Sequence, residues 1–172
     1  MYISHVTIEN YRNLQSIDVD LQRETVIVGE NNGGKSNFLR AITLPLVSDE
    51  IAYTSKTLSW QDLNNAAKEK YYDFLLKNKK NITDNKLDIE IFKESVPTIV
   101  VELTLMPDKT ELYDVKDFIC SVDKDKTEYK FRYEFAPKID ELWGRVQSIM
   151  LHNDINESSI KQYQMNLLPT DL

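Results

Sequence analysis

Cysteine is almost absent: Cys120 stands alone among 172 residues. A single thiol excludes an internal disulfide and any cysteine-based metal site assembled within one chain, and it fits a reducing cytosol. Histidine is scarce too, with only His5 and His152. No apolar run approaches the ~18 residues a membrane-crossing helix needs. The start Met1-Tyr2-Ile3-Ser4-His5 lacks the basic region and apolar stretch of a secretion signal, so the expectation is a soluble, cytoplasmic protein. Positive charge is in deficit: 21 Lys and Arg face 28 Asp and Glu, a net charge of −7. That argues against a chain that coats itself with nucleic acid, because phosphate backbones are held mainly by Lys and Arg. A local basic groove stays open, since net charge averages over the surface. Glycine is scarce as well. There are four, and three of them, Gly29, Gly33 and Gly34, fall within six residues.

What is present reads as an α/β chain. Tyr2, Val6 and Ile8 alternate with Ser4, His5 and Thr7, the pattern of a half-buried strand. Glu9 to Asn13 interrupts it, and Ile17, Val19 and Leu21 then alternate with Ser16, Asp18 and Asp20 as a second strand. Thr25-Val26-Ile27-Val28 is a continuous apolar run, as expected of a strand buried on both faces. A helix is predicted from Ser36 to Val47, limited by Pro45. Residues 48–96 are polar, with a capping box at Ser59-Trp60-Gln61-Asp62, a helix running to about Lys79 and a loop from Asn81 to Lys86. Pro97 to Leu105 reads as a strand, Thr110 to Ile119 as a short helix, and Ser121-Val122 with Tyr129 to Phe135 as a hairpin. In 138–151, Ile139, Leu142, Trp143, Val146, Ile149 and Met150 share one helical face. Beyond His152 the tail is polar and reads as structureless. These segments group as a single lobe, 1–172: 1–47 around the glycine loop, a helical and polar insertion 48–96, further strands and the amphipathic helix 97–151, and a tail 152–172.

The chemistry concentrates in Gly29-Glu30-Asn31-Asn32-Gly33-Gly34-Lys35-Ser36, a complete Gly-x-x-x-x-Gly-Lys-Ser (Walker A) pattern. Glycines let backbone N–H groups close around a polyphosphate, and the helix that follows directs its partial positive charge at the same phosphates. Lys35 is expected to reach the β- and γ-phosphates, and Ser36 to ligate Mg²⁺, with ATP as the nucleotide. Gly29, Asn31, Asn32, Gly33 and Gly34 form the cradle. Chance gives the pattern in about one chain in a hundred or fewer, and a strand-like run before it with a helix after it makes coincidence rarer still.

The run Val6-Thr7-Ile8-Glu9-Asn10-Tyr11-Arg12-Asn13-Leu14, followed by Val26 to Ile42 with the loop inside it, resembles the N-terminus of RecF/SMC-type ABC ATPases. It is most similar to OLD-family (overcoming lysogenization defect) ATPases such as those of the Gabija anti-phage system. The resemblance is specific over 1–42 and weaker over 97–135. It implies an ABC-type head lobe with a mixed β-sheet around the Walker A helix. It also implies ATP sandwiched between two heads of a homo-oligomer, a further C-terminal lobe or partner protein, and a role in gating DNA processing or an anti-phage nuclease. On the same resemblance Arg12 and Asn13 lie near the phosphates and base, and Asn37 touches the α-phosphate. The plainer alternatives are a solvated arginine in a turn and a first-turn helix residue. Position 33 is Gly where such proteins usually carry Ser.

Such a head also needs a strand ending in Asp-Glu, a signature motif and a switch histidine. The best acidic strand end is Ile99-Val100-Val101-Glu102, which lacks the pair and reads as half-buried. Only Gly144 follows the loop, so no glycine-rich signature is present. The expectation is a lobe that holds nucleotide without hydrolysing it unaided. Two rivals stand beside it. One is a nucleotide-responsive interaction module without turnover. The other is a GTPase, prompted by Asn85-Lys86-Leu87-Asp88, but no Asp-x-x-Gly accompanies that tetrad.

Overall fold

The computed structural model describes residues 1–46, 58–113, 116, 119–123 and 126–169. The chain divides into two compact units, Met1–Ser55 with Ile99–Glu134, and Lys56–Thr98 with Phe135–Leu172.

The first unit is built on five strands: β1 (Tyr2–Tyr11), β2 (Leu14–Asp20), β3 (Ile99–Met106), β4 (Ile119–Asp123) and β5 (Lys126–Phe135), in the order β2-β1-β3-β5-β4. β1 runs antiparallel to both neighbours, with Ile17, Ile8 and Val101 in one cross-strand row and Val19, Val6 and Leu103 in the next. Val6, Ile8, Val101 and Leu103 are fully buried, each worth about 1.5–3 kcal/mol of transfer free energy. The residues between them make the opposite face wet: Asp18 opposes Thr7, which opposes Glu102. A register shift between Ile3 and His5 lets Ile3 pair with Leu105 on the apolar side, the usual effect of one extra residue in a strand. Lys130 and Arg132 reach Glu102 from β5, at 3.1 and 3.7 Å.

Helix α1 (Lys35–Thr43) lies against β1 and β3 with Ala41 fully buried, and a 3₁₀ turn follows at Leu44–Leu46, where Pro45 ends the α-helix as expected. Val47, the expected last residue of that helix, lies outside the described residues. The expected strand at Thr25–Val28 is not a strand. Val26 and Val28 are each 85% exposed and the segment has no ladder. An apolar run becomes a strand only beside a neighbour that takes up its N–H and C=O groups, and none pairs with it among the described residues. Of the expected helix at Thr110–Ile119, residues 110–113 form turns and a bend, and Ile119 opens β4 instead; residues 114, 115, 117 and 118, and 124–125 of the hairpin turn, lie outside the described residues. The hairpin itself forms, as antiparallel β4 and β5.

The second unit is helical: α2 (Asn65–Lys77), α3 (Lys79–Thr83), α4 (Ile89–Ser95), α5 (Ile139–His152) and α6 (Gln164–Leu167). The Ser59 box is realised, with Ser59 N–H donating to Asp62 Oδ2 at 3.2 Å, but it caps a 3₁₀ turn, Trp60–Asp62; Asn64 caps α2. The expected loop at Asn81–Lys86 begins inside α3, because Ile82 is fully buried and fixes a helical turn there. α4 was not anticipated; Asp88 starts it by accepting from Glu90 N–H at 2.8 Å. The tail is not structureless either: α6 follows a 3₁₀ turn, Ile160–Tyr163, and Ile160, Leu167 and Leu168 are buried. α5 buries Leu142, Val146 and Met150, and the Trp143 ring meets Phe92 at 4.7 Å between centroids. Phe92 in turn meets Tyr71, whose phenol burial pushes far above its ordinary value.

Gly144 sits exposed in the middle of α5, and a Cβ there meets nothing within 4 Å. Gly144→Ala is therefore expected to raise the stability of this unit by about 0.5–1 kcal/mol, because alanine restricts the unfolded chain at no steric cost. A thermal melt followed by far-UV circular dichroism checks it, and a lower midpoint contradicts it.

Candidate functional site

The site is assembled in the first unit, from the β1–β2 turn and the loop before α1. Tyr11 pairs with Leu14, so Arg12 and Asn13 form a two-residue turn. Asn10 (φ 57°) and Arg12 (φ 50°) are both left-handed. Asparagine tolerates that region. An arginine does so at about 1–2 kcal/mol, and strain of this kind collects at functional sites. The Arg12 guanidinium lies 5.3 Å from the centre of the Tyr11 ring, within cation–π range.

The glycine loop is held in shape from inside. Lys35 Nζ donates to the carbonyl oxygens of Gly29 at 2.8 Å and Glu30 at 2.7 Å, and Gly33 N–H donates to Glu30 O at 3.1 Å. Asn32 (φ 72°) and Gly34 (φ 93°) take left-handed backbone. Gly34 is the N-cap of α1 and brings no capping oxygen, and the first helical turn carries no acidic residue. The first N–H groups of an α-helix have no partner within it, so this end is electrostatically suited to phosphate oxygens. Gly29 to Gly33 and Ser36 are exposed, so the cradle opens to solvent.

The turn and the loop meet through side chains. Asn37 Nδ2 donates to Asn13 Oδ1 at 2.8 Å, and Arg12 Nη1 donates to Asn37 Oδ1 at 3.1 Å. A Cβ built on Gly34 falls 2.8 Å from Asn13 Nδ2 and 3.1 Å from Leu14 Cδ2. Arg12, Asn13, Gly34, Lys35, Ser36 and Asn37 are thus one neighbourhood, although 15 residues separate the turn from the start of the loop. The bridging role of Asn37 carries no signal in the sequence. At Gly33 a Cβ meets Glu30 O at 3.1 Å, so a serine there requires that carbonyl to give by a few tenths of an ångström.

A model of the AAA ATPase domain family matches residues 1–169. The chain belongs to that family. Within this AAA ATPase domain the P-loop NTPase fold of mixed α/β type accounts for the loop, its helix and the sheet. The chain is 44% identical over 43 residues to the DNA replication and repair protein RecF of Lactobacillus acidophilus, covering 24% of this chain and 12% of the relative. RecF of Clostridium botulinum strain Eklund 17B is 31% identical over 102 residues, 59% of this chain and 27% of the relative. Endonuclease GajA of Bacillus cereus is 43% identical over 42 residues, 24% of this chain and 7% of the relative. The matches therefore span about a quarter or less of these relatives' own lengths. No solved structure matches.

Other sequence candidates are committed elsewhere. Glu102 is ion-paired on the wet face of β3. His5 is bonded to Asp20 at 2.7 Å, and His152 to Ser148 O at 2.7 Å. Asn85 accepts from Gln147 at 2.8 Å while Asp88 caps α4, so the Asn-Lys-x-Asp tetrad is structural in the second unit. Among the described residues no cluster of three His, Cys, Asp or Glu suits a metal ion, and no helix is long and apolar enough to cross a membrane.

Proposed function

We propose that this AAA ATPase domain is the ATP- and Mg²⁺-binding lobe of an ABC-type ATPase of the OLD/RecF/SMC-like class. The observation that carries the reading is the loop Gly29–Ser36, braced by Lys35 on its own carbonyls and docked on the Arg12–Asn13 turn. In this reading the N–H groups of Asn31 to Ser36 cradle the phosphates, Lys35 neutralises their charge, and the Ser36 hydroxyl is a ligand of Mg²⁺. Arg12, Asn13 and Asn37 add polar contacts beside the cradle. ATP is held between two heads of a homo-oligomer in the cytoplasm, and a further lobe or partner protein supplies the hydrolytic groups. The relatives named for DNA replication and repair and for endonuclease activity support a role in gating DNA processing or an anti-phage nuclease.

A second reading, a nucleotide-responsive module without turnover, is favoured by Glu102: the best acidic strand end is engaged by Lys130 and Arg132. Comparing turnover by this chain with turnover by the intact protein separates the two, since the first reading expects activity in the intact protein. Titration with Mg²⁺-ATP and Mg²⁺-GTP tests the nucleotide. ATP is expected to bind more tightly, and much tighter GTP binding overturns the ABC-type reading.

A further inference from the structure

We propose that Asn37 is a positioning residue that holds Arg12 at the mouth of the phosphate loop, so that the arginine's charge acts on the bound triphosphate; this rests on the nucleotide-binding reading above. Both polar ends of the Asn37 amide are engaged within the protein: Oδ1 takes Arg12 Nη1 at 3.1 Å and Nδ2 gives to Asn13 Oδ1 at 2.8 Å. Those contacts make it a tie between two elements rather than a free phosphate ligand. The tie starts on the first turn of α1, one residue after Ser36, so its position is set by the same backbone that forms the cradle.

Three further observations give the tie its purpose. The Arg12 backbone is left-handed, a conformation that only surrounding contacts sustain in a residue with a long side chain. The Tyr11 ring supports the guanidinium from another side. Gly34 leaves the space in which Asn13 seats, which lets the turn approach the loop. The choice of amide matters chemically. A carboxylate at position 37 would set a full negative charge beside the guanidinium, whereas a neutral carbonyl oxygen orients it without adding one. An arginine so placed has a planar fork matched to phosphate oxygens.

The test is a double-mutant cycle in the intact protein, reading affinity for Mg²⁺ with a non-hydrolysable ATP analogue by titration calorimetry. Arg12→Ala and Asn37→Ala are each expected to weaken binding about tenfold, and the double variant is also expected to lose about tenfold, because Asn37 acts through Arg12. Both single variants should show the same flattened dependence of affinity on salt, which a merely structural defect would not produce. Losses that multiply to about a hundredfold in the double variant overturn the inference and make Asn37 an independent ligand. Wild-type affinity in Asn37→Ala overturns it too. Should that variant fail to fold, Asn37→Gln displaces the amide by one methylene and enters the same cycle. Failure of the wild type to bind the analogue, or full binding by a Lys35 variant, condemns the nucleotide reading itself. Normal wild-type binding with a multiplicative cycle condemns only the role of Asn37.

Discussion

Lys35→Ala is expected to lower the affinity of the intact protein for Mg²⁺-ATP by about a hundredfold or more while leaving the fold in place. The ammonium has three N–H donors, and two of them brace the loop through Gly29 O and Glu30 O. The third remains for a phosphate oxygen, and the full positive charge remains with it. Hydrogen bonds to charged groups are each worth about 1.5–3 kcal/mol, and the substitution removes the phosphate contact together with the internal brace. The cost to the fold is small because Gly29 and Glu30 are exposed and water takes over their carbonyl groups. Titration calorimetry against Mg²⁺-ATP, with a circular dichroism melt as the folding control, checks both halves. Unchanged affinity refutes the placement of the site.

The loop was legible because its constraints are local. Eight consecutive residues carry the glycines, the ammonium and the hydroxyl, and α1 follows at once. β1, β2, β3, the β4–β5 hairpin and α5 were legible for a related reason, since each advertises one apolar face at its own period. Thr25–Val28 shows the limit. Its composition says strand, but a strand is a property of two segments, and the exposure of Val26 and Val28 records that no neighbour pairs with it among the described residues. α4 is only seven residues long, too short to show a helical period, and Asp88, the last residue of the Asn-Lys-x-Asp match, serves as its cap. The pairing of Asn37 with Arg12 and Asn13 joins residues 24 and 25 positions apart, and no local periodicity encodes such a contact. The mixed α/β class, and the loop that joins directly to the start of α1, were therefore readable from composition and spacing. The side-chain tie beside the cradle depended on how β1 and α1 pack.

Gly34→Val is expected to weaken nucleotide binding at least about tenfold, and far more than Gly33→Ser. Two independent costs meet at position 34. Its backbone is left-handed, at φ 93°, where an L-residue loses about 1–2 kcal/mol and a β-branched one more. Its Cβ would also stand 2.8 Å from Asn13 Nδ2 and 3.1 Å from Leu14 Cδ2, too near for either without movement. Relief requires the Asn13 amide and the Leu14 side chain to swing away, which breaks the Asn37–Asn13 bond at 2.8 Å, or the loop to change its backbone, which disturbs the carbonyls that Lys35 grips. Either route loosens the junction between the turn and the loop. Gly33 has neither handicap to the same degree: its φ is not left-handed, and its Cβ contact with Glu30 O, at 3.1 Å, needs only a few tenths of an ångström of adjustment. Measured side by side by titration, equal losses at 33 and 34 would mean that crowding by the β1–β2 turn does not govern the loop. A loss concentrated at 34 is what the left-handed backbone and the crowding by that turn require together.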